Sequence, residues 1–412
     1  MRHCRESFQG QMIRTQPSQK EARESQTAMG HLPSPRLVDT PKAFADMLAA
    51  STGEPVLALD TESDSLYRYF YRVCLIQIST SSADYLLDPL RLPDLRPLGT
   101  ILADPNIEKV FHAAENDILV LKRDFQFDFA NIFDTMLAAR ILGWPQVGLA
   151  ALLAKHFGVQ LDKRAQLTDW GRRPLTDTQL SYARLDSHYL FPLRALLKDA
   201  LQVRRRWREA QEVFAALPDV TYVEKPFDPA GFWRAQGARD LKPAELAILR
   251  ELYLWRDARA RAMDRPSFKV LGDRMLIRLS QEQPHRTGDL PLNKRQASLL
   301  GSDILAAIAR GRAAPAPQYP TRHNNDNHRP DPATISRYDK LRAWRTQRAA
   351  ERGVESDVVL TNDILMTIAQ TVPANLKELA DLGVMGPWKL TEYGPDVLRV
   401  LRVDDETAPA EK

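Results

Sequence analysis

The sequence predicts an α/β domain with a mixed sheet, followed by two all-α helical bundles. Short apolar runs alternate with helical patterns between residues 34 and 215, whereas the C-terminal half of the chain has a helical period almost throughout. In that second half, residues 252–290 align with residues 341–379 at a constant offset of 89, without a gap. Self-similarity of this kind indicates two copies of one supersecondary unit, so we expect two related bundles.

The first 33 residues are predicted to form a disordered arm. They are polar and rich in Gln and Ser, so they bury too little apolar surface to offset the entropy cost of ordering. Met29 is a candidate for the true start. The arm lacks the apolar core of a secretory signal, and no run reaches the roughly 18 apolar residues that span a bilayer. Because Cys4 and Cys74 fit neither a disulfide framework nor a zinc site, we expect a cytoplasmic location without membrane association.

Two kinds of strand pattern predict the sheet. Residues 56–59, 73–80 and 84–87 are apolar runs, and a short turn at Ser81-Ser82 joins the last two as a hairpin. Residues 110–112 and 132–133 are later strands, each followed by a helical pattern. Antiparallel strands followed by strand–helix units indicate a mixed sheet flanked by helices.

A helix is predicted from Thr176 to about residue 197. Thr176 and Gln179 have the spacing of a capping box, with Thr176 as the N-cap. Tyr182 and Asp186 stand four residues apart, so on a helix they lie on one face. We therefore expect both side chains to approach the same point.

Three further acids follow strand patterns. Asp60 and Glu62 end the apolar run at 56–59, and a spacing of two on a strand puts both on one side of the sheet. Asp117 follows the strand at 110–112. Separately, these residues have ordinary explanations: acids end strands at solvent, aspartates begin helices, and a core tyrosine often stands beside a surface acid. Their joint occurrence with Tyr182 and Asp186, in this order, favours one shared site.

The residue types fit phosphodiester hydrolysis. Two divalent ions about 4 Å apart can stabilise charge on both the attacking and the leaving oxygen. Hard cations such as Mg²⁺ prefer carboxylates and water as ligands. The sequence therefore predicts a two-metal phosphodiesterase site.

The same motifs resemble the ribonuclease D family, in the tyrosine-containing branch of the DEDD 3′→5′ exonucleases. The matching stretches are residues 59–62, 110–118 and 182–186, with further agreement at 74–78, 132–135 and 169–175. The resemblance implies a ribonuclease H-like α/β exonuclease domain and two divalent ions, Mg²⁺ or Mn²⁺. It further implies that Asp60, Glu62 and Asp186 bind the first ion and that Asp60 bridges to the second. Asp117 would hold that second ion, and Tyr182 would orient the attacking water.

Four other residues are candidate contacts to nucleic acid. Arg172 and Arg173 precede the third motif, where phosphates would approach the metals. Gln77 and His112 are the other two candidates. For His112, packing or a hydrogen bond at its strand end is favoured over a role as a base, because a metal can supply the nucleophile.

The helical repeats resemble the helicase-and-RNase-D C-terminal (HRDC) domain, which implies that they help hold nucleic acid. We predict an exonuclease domain at 34–215, a first HRDC domain at 236–312, a Pro- and Asn-rich linker at 313–332, and a second HRDC-like domain at 333–405. In the first repeat the residues that could contact phosphates or stack on bases are Trp255, Arg256, Arg259, Arg261, Arg265 and Phe268. Alternatively, Trp255 and its repeat Trp344 are core anchors, and the arginines form a solvated face.

The expected function is metal-dependent removal of 5′ mononucleotides from RNA 3′ ends, with tRNA precursors as the substrates that the family suggests. A net charge of +4 permits nucleic-acid binding without arguing for it. One alternative is a DNA 3′→5′ exonuclease of the same fold, which shares the motifs. Another is a non-catalytic RNA-binding protein, against which the complete set of acids argues.

Overall fold

The computed structural model describes residues 33–402, except for residues 225 and 319–329. The predicted N-terminal arm up to residue 32, the middle of the predicted linker and residues 403–405 lie outside the described residues. No helix in the described part of the chain is long and apolar enough to cross a bilayer.

Six strands form one mixed sheet in the order β1-β4-β3-β2-β5-β6. Strand β3 pairs antiparallel with β2 and β4, whereas the pairs β1–β4, β2–β5 and β5–β6 are parallel. The predicted mixed sheet and the β3–β4 hairpin are confirmed. The strands are β1 (Arg36–Val38), β2 (Val56–Ser63), β3 (Val73–Ser79), β4 (Asp84–Leu87), β5 (Glu108–Phe111) and β6 (Ile132–Asp134).

Helices cover the sheet and enclose its apolar core. The central strands are buried along most of their length, since β3 and β4 have no exposed residue. The helices of this part of the chain are α1 (Pro41–Ser51), α2 (Arg96–Ala103), α3 (Ala114–Phe125), α4 (Thr135–Ile141), α5 (Leu149–Phe157), α6 (Asp177–His188), α7 (Leu190–Val203) and α8 (Trp207–Ala215).

Helix α6 begins as predicted but ends earlier. The Thr176 hydroxyl accepts a hydrogen bond from the Gln179 amide, and the Gln179 side chain accepts one from the Thr176 amide, so the capping box is present. The prediction of one helix to about residue 197 is wrong, because the helix is interrupted at Tyr189, between α6 and α7. Pro192 explains the break, since its ring clashes with a helical carbonyl four residues earlier, at His188.

The C-terminal half contains the two predicted helical units, and the first three helices of each unit begin at positions related by the same offset of 89. Each unit has its own apolar core, in which Trp255 and Trp344 are partly buried. The first unit contains α9 (Pro243–Ala262), α10 (Ser267–Val270), α11 (Asp273–Glu282) and α12 (Lys294–Ala313). The second contains α13 (Pro332–Arg352), α14 (Ser356–Val359), α15 (Asn362–Thr371), α16 (Leu376–Asp381) and α17 (Pro387–Arg402).

A buried arginine stabilises each unit in the same way. Arg256 donates to the Leu271 carbonyl at 2.9 Å, and Arg345 donates to the Leu360 carbonyl at 2.8 Å. Both arginines are buried. Arg256 is therefore a structural residue of the first unit, and its predicted contact with phosphate is wrong.

The second helical unit packs against α4 and α8 of the α/β domain. Arg352 forms a two-point ion pair with Glu209 of α8, with nitrogen–oxygen distances of 2.5 and 3.0 Å, and the Glu209 side chain is fully buried. On α4, Arg140 pairs with Asp357 at 2.6 Å and with Glu355 at 2.8 Å. The Glu212 carboxylate accepts backbone N–H bonds at the start of α17.

Candidate active site

The central strand and the capped helix bring three predicted acids together. Asp60 and Glu62 lie on β2, next to β3 in the middle of the sheet, and Asp186 lies on α6. One carboxylate oxygen from each of the three lies within 4.8 Å of the other two. Tyr182, one turn before Asp186, hydrogen-bonds to the Asp186 carboxylate. The spacings of two on a strand and four on a helix therefore put these side chains at one point, as predicted.

Asp117 reaches the cluster from the first turn of α3. Its carboxylate accepts a hydrogen bond from the Thr61 hydroxyl, which lies on β2 between Asp60 and Glu62. Asp134 positions this helix start, because its carboxylate accepts hydrogen bonds from the Ala113 and Ala114 amides, at 3.2 and 2.7 Å. It also caps α4.

Asp134 was not predicted as part of the site. An aspartate that ends a strand and directly precedes a helix is a recognisable N-cap signal in the sequence. Its second role is to accept hydrogen bonds at the start of α3, some twenty residues earlier, and the sequence alone does not indicate this role.

The acids line one pocket of about 520 Å³. All five predicted catalytic residues and His112 line it, together with Asn116 and Gln166, which the sequence interpretation missed. None of the described residues lining this pocket is Lys or Arg. The remaining lining residues are Thr61, Ala113, Gly148, Leu149, Ala150, Ala151 and Leu161.

A polar network on the other side of α6 fixes the helix against the sheet. Asp84 of β4 accepts a hydrogen bond from Arg184 at 2.8 Å and lies 3.0 Å from the His188 ring nitrogen. Ser187 and Ser79 of β3 are hydrogen-bonded at 2.8 Å. The direction in which Tyr182 and Asp186 point is therefore set by contacts to β3 and β4.

Burial and mutual repulsion raise the pKa values of the clustered acids. Burial raises the pKa of Asp60 well above its ordinary value, and Asp117 and Asp186 add to the effect. The pKa of Glu62 rises to about 9 through burial and the same two neighbours. Burial is also the largest cause that raises the pKa values of Asp117 and Asp186 to about 7. Four crowded acids without a basic partner in the pocket are suited to holding cations.

These shifts predict that the metal-free protein loses stability as pH rises. The folded pKa values of Glu62, Asp117 and Asp186 exceed those of the unfolded chain, so the folded state binds more protons and the free energy of unfolding falls between about pH 4 and pH 9. Thermal unfolding in EDTA, compared with a Glu62→Gln variant, measures the effect. The wild type should lose more stability with rising pH than the variant, and Mg²⁺ should stabilise it most at alkaline pH. Parallel pH curves for the two proteins would contradict the prediction.

His112 is neutral and fixed at the edge of the pocket. Burial lowers its pKa to about 4. Its Nδ1 lies 2.9 Å from the Thr135 hydroxyl, which itself donates to the Phe111 carbonyl. Because that hydroxyl proton is engaged, His112 donates Nδ1–H, which leaves Nε2 as an acceptor.

Two predicted nucleic-acid contacts are wrong. Gln77 is fully buried in β3, opposite Asp60, where nucleic acid cannot reach it. The Arg173 guanidinium donates to the Asp88 carboxylate at 2.5 and 2.8 Å and to the Cys74 carbonyl at 2.7 Å, so it ties the loop before α6 to the sheet. Arg172 is exposed, and its contact with phosphate stays a prediction.

Known proteins and family models match both the α/β domain and the helical units. A family model described as a 3′-5′ exonuclease matches residues 35–202, and one described as an HRDC domain matches residues 245–308 and 335–401. The chain is 32% identical over 259 residues to a ribonuclease D of Desulfotalea psychrophila, which covers 62% of this chain and 69% of that protein. The chain belongs to the ribonuclease D family. It is accordingly a 3′→5′ exoribonuclease, and the resemblance found in the sequence is confirmed.

Other ribonuclease D proteins match nearly the whole chain. The ribonuclease D of Granulibacter bethesdensis is 28% identical over 384 residues, which is 91% of this chain and 94% of that protein. The crystal structure of Escherichia coli RNase D covers 90% of this chain and 99% of that chain, with 24% identity and a TM-score of 0.57. The predicted fold class, an α/β exonuclease domain followed by helical HRDC units, is confirmed.

Proposed function

We propose that the chain removes 5′ mononucleotides one at a time from the 3′ end of RNA, and that Asp60, Glu62, Asp117, Tyr182 and Asp186 carry out the reaction. The observation that carries this proposal is the convergence of the five side chains on one pocket. The ribonuclease D relatives support RNA as the substrate.

We infer that the four acids hold two divalent ions, Mg²⁺ or Mn²⁺. The donors are all carboxylate oxygens, which hard cations prefer, and bound cations would offset the burial and repulsion that raise the pKa values of these acids. Asp60, Glu62 and Asp186 would share one ion, and Asp60 and Asp117 the other. When bound, such ions supply an activated water and stabilise charge on the attacking and leaving oxygens.

The chain's own groups orient the substrate and the water. Burial and the nearby Asp186 raise the pKa of Tyr182 above its ordinary value, so its hydroxyl stays protonated and can position the attacking water. Helix α5 begins at the pocket, and its N-cap Gly148 makes no side-chain capping bond. The backbone N–H groups of its first turn therefore favour a phosphate nearby.

A product assay on RNA with a 3′ extension tests the function. Mononucleotides with a 5′ phosphate should accumulate with Mg²⁺ and disappear with EDTA. Matched RNA and DNA oligonucleotides separate this proposal from a DNA exonuclease, and faster cleavage of the DNA would contradict it. Binding of RNA without hydrolysis would favour a non-catalytic protein.

We further propose tRNA precursors as physiological substrates, as the family suggests. A 3′-extended tRNA precursor should be shortened toward its mature 3′ end. Equal rates on this precursor and on an unstructured RNA of the same length would contradict this part of the proposal.

Tyr182→Phe should lower kcat about a hundredfold, because the attacking water loses the hydroxyl that aligns it. Metal affinity and KM should change little, since the ring remains in place. Single-turnover hydrolysis and Mg²⁺ titration measure the two effects. Tyr189→Phe, which also removes one phenol hydroxyl but lies outside the pocket, is the control. An unchanged rate in Tyr182→Phe would show that the tyrosine only packs.

A further inference from the structure

A largely exposed apolar surface lies between Gln166, at the rim of the pocket, and the first helical unit. It consists of Leu66 and Tyr67 in the β2–β3 loop, Leu167 in the 3-10 helix Lys163–Leu167, and Phe268 in α10. Leu167 is 67% exposed and Phe268 is 57% exposed. Leu66 is 36% exposed, and Tyr67 is half-buried. We call these four residues, two aromatic and two aliphatic, the aromatic track. Large apolar side chains that are exposed together commonly mark a binding surface.

The loop at the start of the track is rigidly connected to the catalytic strand. Asp64, two residues after Glu62, is buried, and its carboxylate accepts a hydrogen bond from the Arg72 amide at 2.8 Å. Its carbonyl accepts bonds from the Tyr67 and Arg68 amides at 2.7 and 2.9 Å. The position of Tyr67 relative to Glu62 is therefore fixed by hydrogen bonds.

Tyr67 connects the pocket side of the track to the helical unit. Its hydroxyl donates to the Leu167 carbonyl at 2.8 Å, and the neighbouring Gln166 lines the catalytic pocket. On the other side, the Lys269 ammonium lies 3.4 Å from the centre of the Tyr67 ring, and Lys269 directly follows Phe268. Contacts of Tyr67 thus join three separate elements.

A second set of hydrogen bonds holds the first helical unit at the end of the aromatic track. The Asp264 carboxylate accepts from the Tyr69 and Phe70 amides, both at 3.1 Å. The Tyr69 hydroxyl donates to Asp257 at 2.8 Å. Phe268 is therefore held in place relative to the pocket.

In the second helical unit, the positions that correspond to Phe268 and Lys269 contact the α/β domain. At the offset of 89, Phe268 corresponds to Asp357 and Lys269 to Val358. Asp357 pairs with Arg140, and Val358 is buried against the core of the α/β domain. In the first unit the corresponding position carries an exposed phenylalanine, so packing among the residues that the structure describes does not account for Phe268.

We propose that the aromatic track binds the single-stranded 3′ segment of RNA upstream of the nucleotide being removed. Aromatic faces stack on successive bases without sequence preference, while nearby cations contact phosphates. Arg68 and Arg265 are exposed beside the track, and Lys269 lies within it. This combination of aromatic and basic groups favours RNA over a protein partner. The proposal rests on the proposed function, since it extends the substrate path of the same pocket.

The test compares hydrolysis of a dinucleotide with that of a single-stranded RNA of about 12 nucleotides, a length typical of stacking sites. Phe268→Ala should raise KM for the long RNA about tenfold relative to KM for the dinucleotide, because one stacking contact is lost. Phe268→Trp should restore the wild-type ratio. Leu299→Ala, which truncates a 50% exposed side chain of the same unit, is the control and should leave the ratio unchanged.

An unchanged KM ratio in Phe268→Ala would overturn the proposal, as would a KM that rises equally for both substrates. If the wild type hydrolyses neither substrate, the proposed function fails, and the track is then judged by affinity for the long RNA in EDTA. In that measurement, equal affinity of Phe268→Ala and the wild type would overturn the proposal, and a loss of about tenfold would support it.

Discussion

Asp60→Asn should lose nearly all hydrolysis of RNA while keeping most of its RNA affinity. Asp60 stands at the centre of the acidic cluster, beside Glu62, Asp117 and Asp186, and its proposed role involves both ions. Loss of several kcal/mol of transition-state stabilisation corresponds to a rate lower by about a thousandfold or more. RNA affinity survives because most contacts to a bound strand lie outside the cluster. Single-turnover rates and fluorescence anisotropy with labelled RNA measure the two quantities.

Asp94→Asn makes the same chemical change at an exposed position and is the matched control. It should hydrolyse RNA at the wild-type rate. Thermal unfolding of Asp60→Asn checks that the fold is intact, and we expect no loss of stability in EDTA because one of the repelling charges is removed. Full activity of Asp60→Asn with Mg²⁺ would refute the proposed site.

Arg352→Ala should release the second helical unit from the α/β domain. The substitution leaves the Glu209 carboxylate buried and unpaired, and breaking a buried pair in this way typically costs about 3–5 kcal/mol. The Tyr393 hydroxyl also loses its hydrogen bond with Arg352. Hydrogen exchange should show early loss of protection at the Trp388 and Lys389 amides, which bond to Glu212 across the same interface.

Two variants test whether this effect comes from the unpaired charge. Arg348→Ala removes an arginine whose pair with Glu392 is partly exposed, and it should cost at most about 1 kcal/mol. The double variant Arg352→Met with Glu209→Leu should recover most of the stability, because an apolar pair of similar volume replaces a buried ion pair at little cost. No recovery would mean that other contacts hold the interface.

Local patterns in the sequence predicted the convergence of the acidic cluster, because its geometry depends on short spacings. Asp60 and Glu62 share one side of a strand, and Tyr182 and Asp186 share one face of a helix whose start is encoded by Thr176. The repeat was equally visible, since a gapless offset of 89 relates the starts of the first three helices of the two units. These features need no knowledge of distant contacts.

The errors concern residues whose roles depend on distant partners. Arg173 was predicted to bind phosphate, but its guanidinium is paired with Asp88, which lies 85 residues away in the sequence. Gln77 lies on a strand that is buried on both faces, so a polar residue there does not indicate exposure. Strand β1 was missed because this edge strand has only three residues, paired with β4, which are too few to show a period.

Because α6 ends at His188, insertions before and after this residue should affect the acidic pocket differently. The helix carries Tyr182 and Asp186 on one side and is bonded to the sheet through Arg184 and Ser187 on the other. Each added residue turns a helix by about 100°. A single insertion between the cap and Tyr182 would therefore rotate Tyr182 and Asp186 away from Asp60 and Glu62 or break the bonds to the sheet. Insertions after His188 would leave that angular alignment intact.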